Sequence, residues 1–154
     1  MCLITEQRIA KKAKEDMTVY KIMEVSKNTV LSHIYKHNYL YEKLYTTELI
    51  VLSNKDIVSS IHSNNLSYAD HEAYNYYSSL IDLRLGEFPI ITQGVQLKVI
   101  TQGFHAYTSI KRADDEAISS NNKSIVKCTI PKGANYYADF TGLIVSDAII
   151  IHKT

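Results

Sequence analysis

Two stretches in the last third of the chain carry side chains that could bind a planar, anionic ligand. His105 and Tyr107 lie in one stretch, and a Pro-Lys-Gly turn beginning at Pro131 opens the other. Aromatic faces stack on bases, while lysine side chains and backbone N–H groups bind phosphate. If the two stretches are neighbours, they form one ligand-binding rim, made of His105, Tyr107, Lys132, Asn135, Tyr136 and Tyr137. The simpler interpretation is that Tyr136 and Tyr137 close the end of a sheet.

Catalytic arrangements are sparse. The chain has no Ser-His-Asp pattern, glycine-rich phosphate loop or zinc-knuckle spacing. Cys128 and His105 could form a thiolate pair, but no third orienting group is evident, and a buried structural cysteine is the default. Cys2 could be an N-terminal nucleophile after loss of Met1, but that role needs a strand directly after it, whereas we expect a basic, mobile segment there. We therefore predict no catalytic residue and favour a protein that is not an enzyme.

Metal and acid–base sites are not indicated either. His33 and His37 are four residues apart, which suits a metal on a helix, but the local pattern is extended and no carboxylate or cysteine stands at a matching distance. Asp114, Asp115 and Glu116 are most simply a solvated helix face. We expect no metal and no other cofactor.

The rim residues need strands and turns to position them. Val95 to Ile100 alternates apolar and polar residues as a half-buried strand does. Ser109 is a candidate N-cap for a helix near residues 109–120. Ser124 to Ile130 is rich in β-branched residues and predicts a strand. Pro131 at the second position of a turn ends it, and Gly142 to Ile151 predicts a final strand.

The first part of the chain predicts more strands and a second helix. We expect a mobile tail over residues 1–14 and a strand over Met17 to Val25, with Val19, Lys21 and Met23 on one face and Tyr20 and Ile22 on the other. The later segments are a hairpin or meander over Thr29 to Ile34 and Asn38 to Thr47, a strand over Glu48 to Leu52, and a helix near residues 70–85. The fold class is a single α+β domain, residues 1–154, with a mixed, mainly antiparallel sheet of roughly five to seven strands and two helices.

The composition of the chain argues against several classes of function and location. The chain has 154 residues and a net charge of +1, which gives no strong electrostatic case for binding nucleic acid or an anionic membrane. No apolar run approaches the roughly 20 residues of a membrane helix, and no signal-peptide core is evident. Two cysteines form no disulfide framework, which suits a reducing compartment. We expect a cytoplasmic protein.

Tyrosine is unusually frequent, with 12 residues and no tryptophan. Tyrosine combines apolar area with a polar tip and is enriched at interfaces, which favours a homo-oligomer. Coding bias is the alternative, because Asn, Lys and Ile are also frequent.

Several motifs resemble a group of small proteins carried by phages and gut bacteria. They are the Met-Cys-Leu start, Glu15-Asp16 followed by Tyr20-Lys21, Gly103-Phe104-His105-Ala106-Tyr107, and Ile130-Pro131-Lys132-Gly133 with Tyr136-Tyr137. The likeness covers residues 1–23 and 102–151. It implies a phage-type protein in the cytoplasm of a host cell, and it attaches no activity.

A second likeness concerns the skeleton of the ADP-ribosyltransferases. A strand with Tyr20-Lys21, a later strand opening Gly103-Phe104, the Ile-Pro-Lys-Gly turn and a closing strand are similar to that family. The resemblance implies a catalytic Glu in the region where this chain has Val145-Ser146-Asp147, and an Arg or His where it has Lys21. Where that family often has Ser-Thr-Ser, this chain has Ala106-Tyr107-Thr108-Ser109. This likeness predicts a divergent, inactive domain of that type.

Three functions follow as hypotheses. The first is a small non-enzymatic phage-type binding protein, an anti-defence factor that sequesters a nucleotide-like signal or binds a host protein. The second is the divergent ADP-ribosyltransferase-like domain. The third is a virion or other structural component.

Overall fold

The computed structural model describes residues 3–5, 7, 9–32, 37–53, 98–117 and 123–153. These residues form a helix, α1 (Ile110–Ala117), and strands that pair antiparallel at every pairing described. The strands are β1 (Leu3–Thr5), β2 (Lys11–Lys12), β3 (Met17–Val25), β4 (Thr29–Ser32), β5 (Asn38–Leu40), β6 (Leu44–Thr46), β7 (Ile50–Ser53), β8 (Lys98–Gln102), β9 (Phe104–Tyr107), β10 (Ser124–Ile130), β11 (Asn135–Ala138), β12 (Leu143–Ser146) and β13 (Ala148–Ile151). The mainly antiparallel sheet is confirmed. The helix expected near residues 70–85 lies outside the described residues.

The strands form a ten-stranded sheet and a three-stranded sheet. The large sheet runs β2-β11-β12-β9-β3-β10-β13-β6, with β4 added to β3 and β5 added to β4. The small sheet runs β1-β8-β7. The expected single sheet of five to seven strands is therefore wrong in number. Many of these strands have only two to four residues, and such short strands show too little alternation to be counted from the sequence.

Strand β3 is the branch point of the large sheet. One edge pairs with β10 over residues 17–23. The other edge meets β9 through the single bridge between Tyr20 and Tyr107, and then pairs with β4 from Met23 onward. The sheet therefore divides between Tyr20 and Met23.

The side chains of β3 alternate between its two faces, as the sequence predicts, and the structure shows that each face belongs to a separate core. Val19 and Met23 lie in a first core, on the face that also buries Val126 and Ile149. Tyr20 and Ile22 pack against a second core on the opposite face. The second core is covered by α1 through Ala113 and by the small sheet through Leu3 and Ile100.

Two turns differ in detail from the sequence interpretation. Asp147 separates β12 from β13, so the expected strand over Gly142 to Ile151 is two strands. The Pro131 carbonyl accepts the N–H of Ala134 at 3.1 Å, which makes Pro131 the first residue of its turn rather than the second. Gly133, with φ +87°, takes the third position, where a type II turn requires a positive φ.

The expected N-terminal tail is wrong for the part of it that the structure describes. Leu3 is fully buried, and β1 pairs with β8 through Leu3 and Ile100. β2 pairs with β11. A three-residue strand is too short to show a period, which is why the charged residues that follow it dominate the sequence pattern. Cys2 lies outside the described residues, but the strand that begins at Leu3 removes the expectation of a mobile segment directly after it.

Candidate functional site

The structure brings three of the six predicted rim residues to one face of the large sheet. The register places His105 opposite Val145, and Val145 opposite Tyr137. His105 and Tyr137 are thus two strand spacings apart, roughly 10 Å. Tyr107 lies on the same face of β9, two residues after His105.

The aromatic rings of this face are used in packing. Tyr107 and Tyr137 are 4% and 6% exposed and belong to the second core. The Arg112 guanidinium lies 5.6 Å from the centre of the Tyr107 ring. Burial raises the pKa of the Tyr107 hydroxyl. Neither ring is presented to a ligand in this arrangement.

His105 is a neutral imidazole. Burial, and then the nearby Lys21 amine, lower its pKa to about 4, although the carbonyls of Gly103 and Ile100 offset part of that shift. Its Nδ1 lies 3.1 Å from the Gly103 carbonyl oxygen, and its buried Nε2 has no hydrogen-bond partner among the residues that the structure describes. At neutral pH this ring can neither attract phosphate by charge nor hold a thiolate in Cys128.

The remaining rim residues point elsewhere or have structural partners. Tyr136 packs at the edge of the first core, on the other side of β11 from Tyr137. The Asn135 backbone N–H and side-chain amide both donate to the Asp147 carboxylate, at 2.9 and 2.8 Å. Lys132 is exposed, and its backbone N–H donates to Asp16 at 2.8 Å. The six residues therefore do not form one continuous rim.

The residues at the positions of the transferase resemblance have structural partners too. Lys21 donates from Nζ to the backbone carbonyl of His105, where the ladder between β3 and β9 stops. Burial lowers the pKa of Lys21. Asp147 accepts both hydrogen bonds from Asn135. These contacts hold strands together.

Cys128 is a buried free thiol in the first core. Burial raises its pKa to about 12, with Lys21 opposing the shift. The thiolate that nucleophilic chemistry needs is therefore strongly disfavoured at neutral pH.

Within the described ranges, no three His, Cys, Asp or Glu residues are grouped so that they could hold a metal ion. His37 instead packs edge-on against Tyr39, with ring centres 4.7 Å apart. His33 lies outside those ranges. The same part of the chain contains no helix long and apolar enough to cross a membrane.

Tyrosine is a core residue in the described part of the chain. Seven of the 12 tyrosines lie there, and none of the seven is exposed. Tyr39 shows the use made of them, since its ring packs edge-on against Tyr45 at 4.9 Å and against Phe104 at 6.3 Å. In this part, their number reflects packing rather than a tyrosine-rich surface.

The sequence interpretation missed a surface feature between β11 and β12, the Phe140 turn (residues 139–142). Phe140 is 97% exposed. The Asp139 carboxylate folds the turn, because Oδ1 accepts the Thr141 N–H at 2.8 Å, the Thr141 hydroxyl at 2.8 Å and the Leu143 N–H at 3.0 Å. Gly142 completes the turn with φ +95°.

The Phe140 turn is also fixed to the start of α1. The Gly142 carbonyl accepts the Thr108 N–H at 2.8 Å and the Thr108 hydroxyl at 3.2 Å. Arg112 donates from Nε to the Thr141 carbonyl at 3.2 Å. A phenylalanine directly after Asp, in an Asp-Phe-Thr-Gly turn between two strands, was the available signal, because that aspartate bonds its own turn and leaves the next side chain outside.

Comparison with protein-family models, with curated proteins and with solved structures finds no match for this chain.

Proposed function

We propose that this chain is a binding protein without catalytic activity, and that it acts by holding a protein partner through the Phe140 turn. In the phage setting that the motifs indicate, the partner is a host protein and the chain acts as an anti-defence factor. The observation that carries the proposal is a fully exposed phenylalanine on a turn that is held in place by the hydrogen bonds of Asp139, Thr108 and Arg112.

The physical argument rests on preorganisation. Burying a phenylalanine side chain contributes roughly 1.5–3 kcal/mol. Ordering a flexible loop on binding costs conformational entropy, which opposes association. The burial of the side chain therefore adds most to the affinity when the segment that carries it is already ordered. The Phe140 turn is ordered by Asp139, Thr108 and Arg112 before any partner arrives. Aromatic residues are also enriched in the cores of protein interfaces.

A protein partner is favoured over a sequestered nucleotide-like ligand by the burial of the predicted stacking residues. Tyr107 and Tyr137 would have to leave the second core to stack on a base. His105 is neutral and offers no charge to a phosphate. A transferase would need Asp147 and Lys21 in roles that compete with their hydrogen bonds to Asn135 and His105.

The test compares the wild type with Phe140→Ala and with Lys27→Ala, an exposed residue in the turn between β3 and β4. A host protein captured by the wild type is identified, purified and titrated against all three proteins by calorimetry. We expect Phe140→Ala to weaken binding by about thirtyfold or more, as for an interface hot spot of 2 kcal/mol, and Lys27→Ala to leave it unchanged. Because Phe140 is exposed, its replacement should change the free energy of unfolding by less than about 0.5 kcal/mol.

Other outcomes would overturn the proposal. Equal affinity of Phe140→Ala and the wild type would remove the Phe140 turn from the interface. Native mass spectrometry that releases a small co-purified anion would instead support sequestration of a nucleotide-like ligand. Consumption of NAD by the purified protein would favour the transferase.

A further inference from the structure

The charges of α1 oppose the dipole of the helix. Lys111 and Arg112 lie in its first turn, where no acidic residue is found, and Asp114, Asp115 and Glu116 follow, with no basic residue in the last turn. A helix is stabilised by acidic residues at its start and basic residues at its end, so this order is unfavourable. Where a natural sequence departs from such a local preference, the departure commonly serves a function, such as recognition of a partner.

The centre of the α1 face that points away from the protein carries one charge of each sign. Ala113 is fully buried and marks the inner face. At 100° per residue, Lys111 and Asp115 lie opposite Ala113, and both are exposed. They are four residues apart, yet no ion pair joins them in the part of the chain described, whereas Arg112 is paired with Glu116. The outer face therefore presents a cation one turn before an anion.

Such a face is complementary to itself. If two copies of α1 meet antiparallel about a two-fold axis at the level of Ala113, Lys111 of each copy faces Asp115 of the other. A two-fold interface uses the same patch on both subunits, which is the arrangement that this charge order fits. We propose that the outer face of α1 docks on the α1 of a second copy, and that the chain forms a weak dimer in this way.

The contact between the two helices is small. A helix of eight residues is only about 12 Å long, which places this contact at the small end of specific interfaces and makes the dimer dependent on concentration. The proposal does not use Phe140 and does not depend on the proposed function.

A charge exchange tests the pairing directly. Lys111→Glu leaves only acidic charges facing each other, and Asp115→Lys leaves only basic ones. Sedimentation velocity over a concentration series should show a wild-type dimer, and each variant alone should dimerise at least about tenfold more weakly. An equal mixture of the two variants should recover the dimer as a heterodimer, because each acidic face then meets a basic one. That recovery also shows that both variants are folded.

The control variants are Lys27→Glu and Glu15→Lys, which make the same changes of charge at exposed residues outside α1. They should dimerise as the wild type does. A wild type that stays monomeric over the whole series overturns the proposal. So does a dimer that is indifferent to both α1 variants, or a mixture of the variants that fails to associate.

Discussion

At the residue scale, Lys21 and Cys128 place two ionisable groups on the buried face of neighbouring strands. Val126 is opposite Lys21 and Cys128 is opposite Val19, so Lys21 and Cys128 are diagonal neighbours on the first-core side. Burial lowers the pKa of the Lys21 amine and raises the pKa of the Cys128 thiol to about 12. Both shifts favour the neutral form, because a charge is poorly solvated inside a sheet. The arrangement suits a packed core rather than a reactive ion pair.

Cys128 should make the protein less stable in alkali. Its folded pKa is raised, so the unfolded chain releases the thiol proton first, and stability is lost as pH rises from about 9 toward about 12. The free energy of unfolding should fall by up to about 1.4 kcal/mol per pH unit from this group alone. In Cys128→Ala that contribution is absent. Urea titrations at pH 7, 9 and 10.5 should therefore show the wild type losing its advantage over Cys128→Ala, and parallel pH profiles would contradict the assignment.

Lys21 should act in the opposite direction. Its folded pKa is lowered, so below the ordinary value of 10.5 the unfolded chain holds the proton more tightly. Stability should therefore rise with pH between the folded pKa and about 10.5. The comparison is Cys128→Ala with the double variant Lys21→Met/Cys128→Ala, in which the thiol no longer titrates. The advantage of the protein that keeps Lys21 should grow from pH 7 to pH 10.5, and a constant difference would mean that the amine is not desolvated.

At the scale of elements, Gly103 allows the chain to pass from the small sheet to the large one. It lies between β8 and β9 with φ +152°. A Cβ at this position would stand 2.4 Å from Val145 Cγ1 and 2.7 Å from Leu49 Cδ2. Val145 of β12 and Leu49, in the segment between β6 and β7, come so close here that only a glycine fits. The step from β8 to β9 also places His105 on the face of the large sheet that carries the second core.

Gly103→Ala should therefore be strongly destabilising, and Gly133→Ala is its matched comparison. An alanine at 103 adds overpacking, at about 1–3 kcal/mol, to an unfavourable backbone angle. An alanine at 133 meets no atom within 4 Å, so only the backbone angle opposes it, by roughly 1–2 kcal/mol. Urea unfolding should rank Gly103→Ala as the less stable variant by at least about 1 kcal/mol. Equal stability of the two variants would show that the atoms around residue 103 do not require a glycine there.

Long alternating elements could be predicted from the sequence, and short ones could not. β3 and β10 have the predicted bounds, because seven to nine residues of alternation or β-branching leave little ambiguity. The Ser109 hydroxyl accepts the Arg112 N–H at 3.1 Å, as the predicted cap requires. The division of the last strand at Asp147 depends on a contact with Asn135, twelve residues away. No local sequence pattern predicts such a contact.

The candidate site was harder to predict than the fold. His105, Tyr107 and Tyr137 do share a face, as expected of residues near one strand end. Which face α1 and the small sheet cover depends on the path of the whole chain, and that path buries the tyrosines. Conversely, Phe140 looks like a core residue by type and is exposed only because Asp139 closes the turn around it.

At the scale of the whole molecule, the N-terminal segment joins the two sheets. Leu3 fills the second core, and the Thr5 hydroxyl donates to the Ala138 carbonyl at 2.8 Å. The Gln7 amide accepts the Ala138 N–H at 3.1 Å and donates to the Tyr136 carbonyl at 3.1 Å. This side chain completes hydrogen bonds along β11 as a neighbouring strand would. The segment is thus part of the folded unit.

Removing this segment should therefore weaken the whole fold. We expect Leu3→Ala to lower the free energy of unfolding by about 2–5 kcal/mol, since a fully buried leucine leaves a cavity. Gln7→Ala should lower it by about 1–3 kcal/mol, because two backbone groups of β11 lose their partners. Deletion of residues 1–9 removes both contributions and the pairing of β1 with β8, and should exceed either change. Ile9→Ala, at a 75% exposed side chain in the same segment, is the control and should stay within about 0.5 kcal/mol of the wild type. A truncated protein as stable as the full chain would show that residues 1–9 are a free tail, and that the small sheet is held without them.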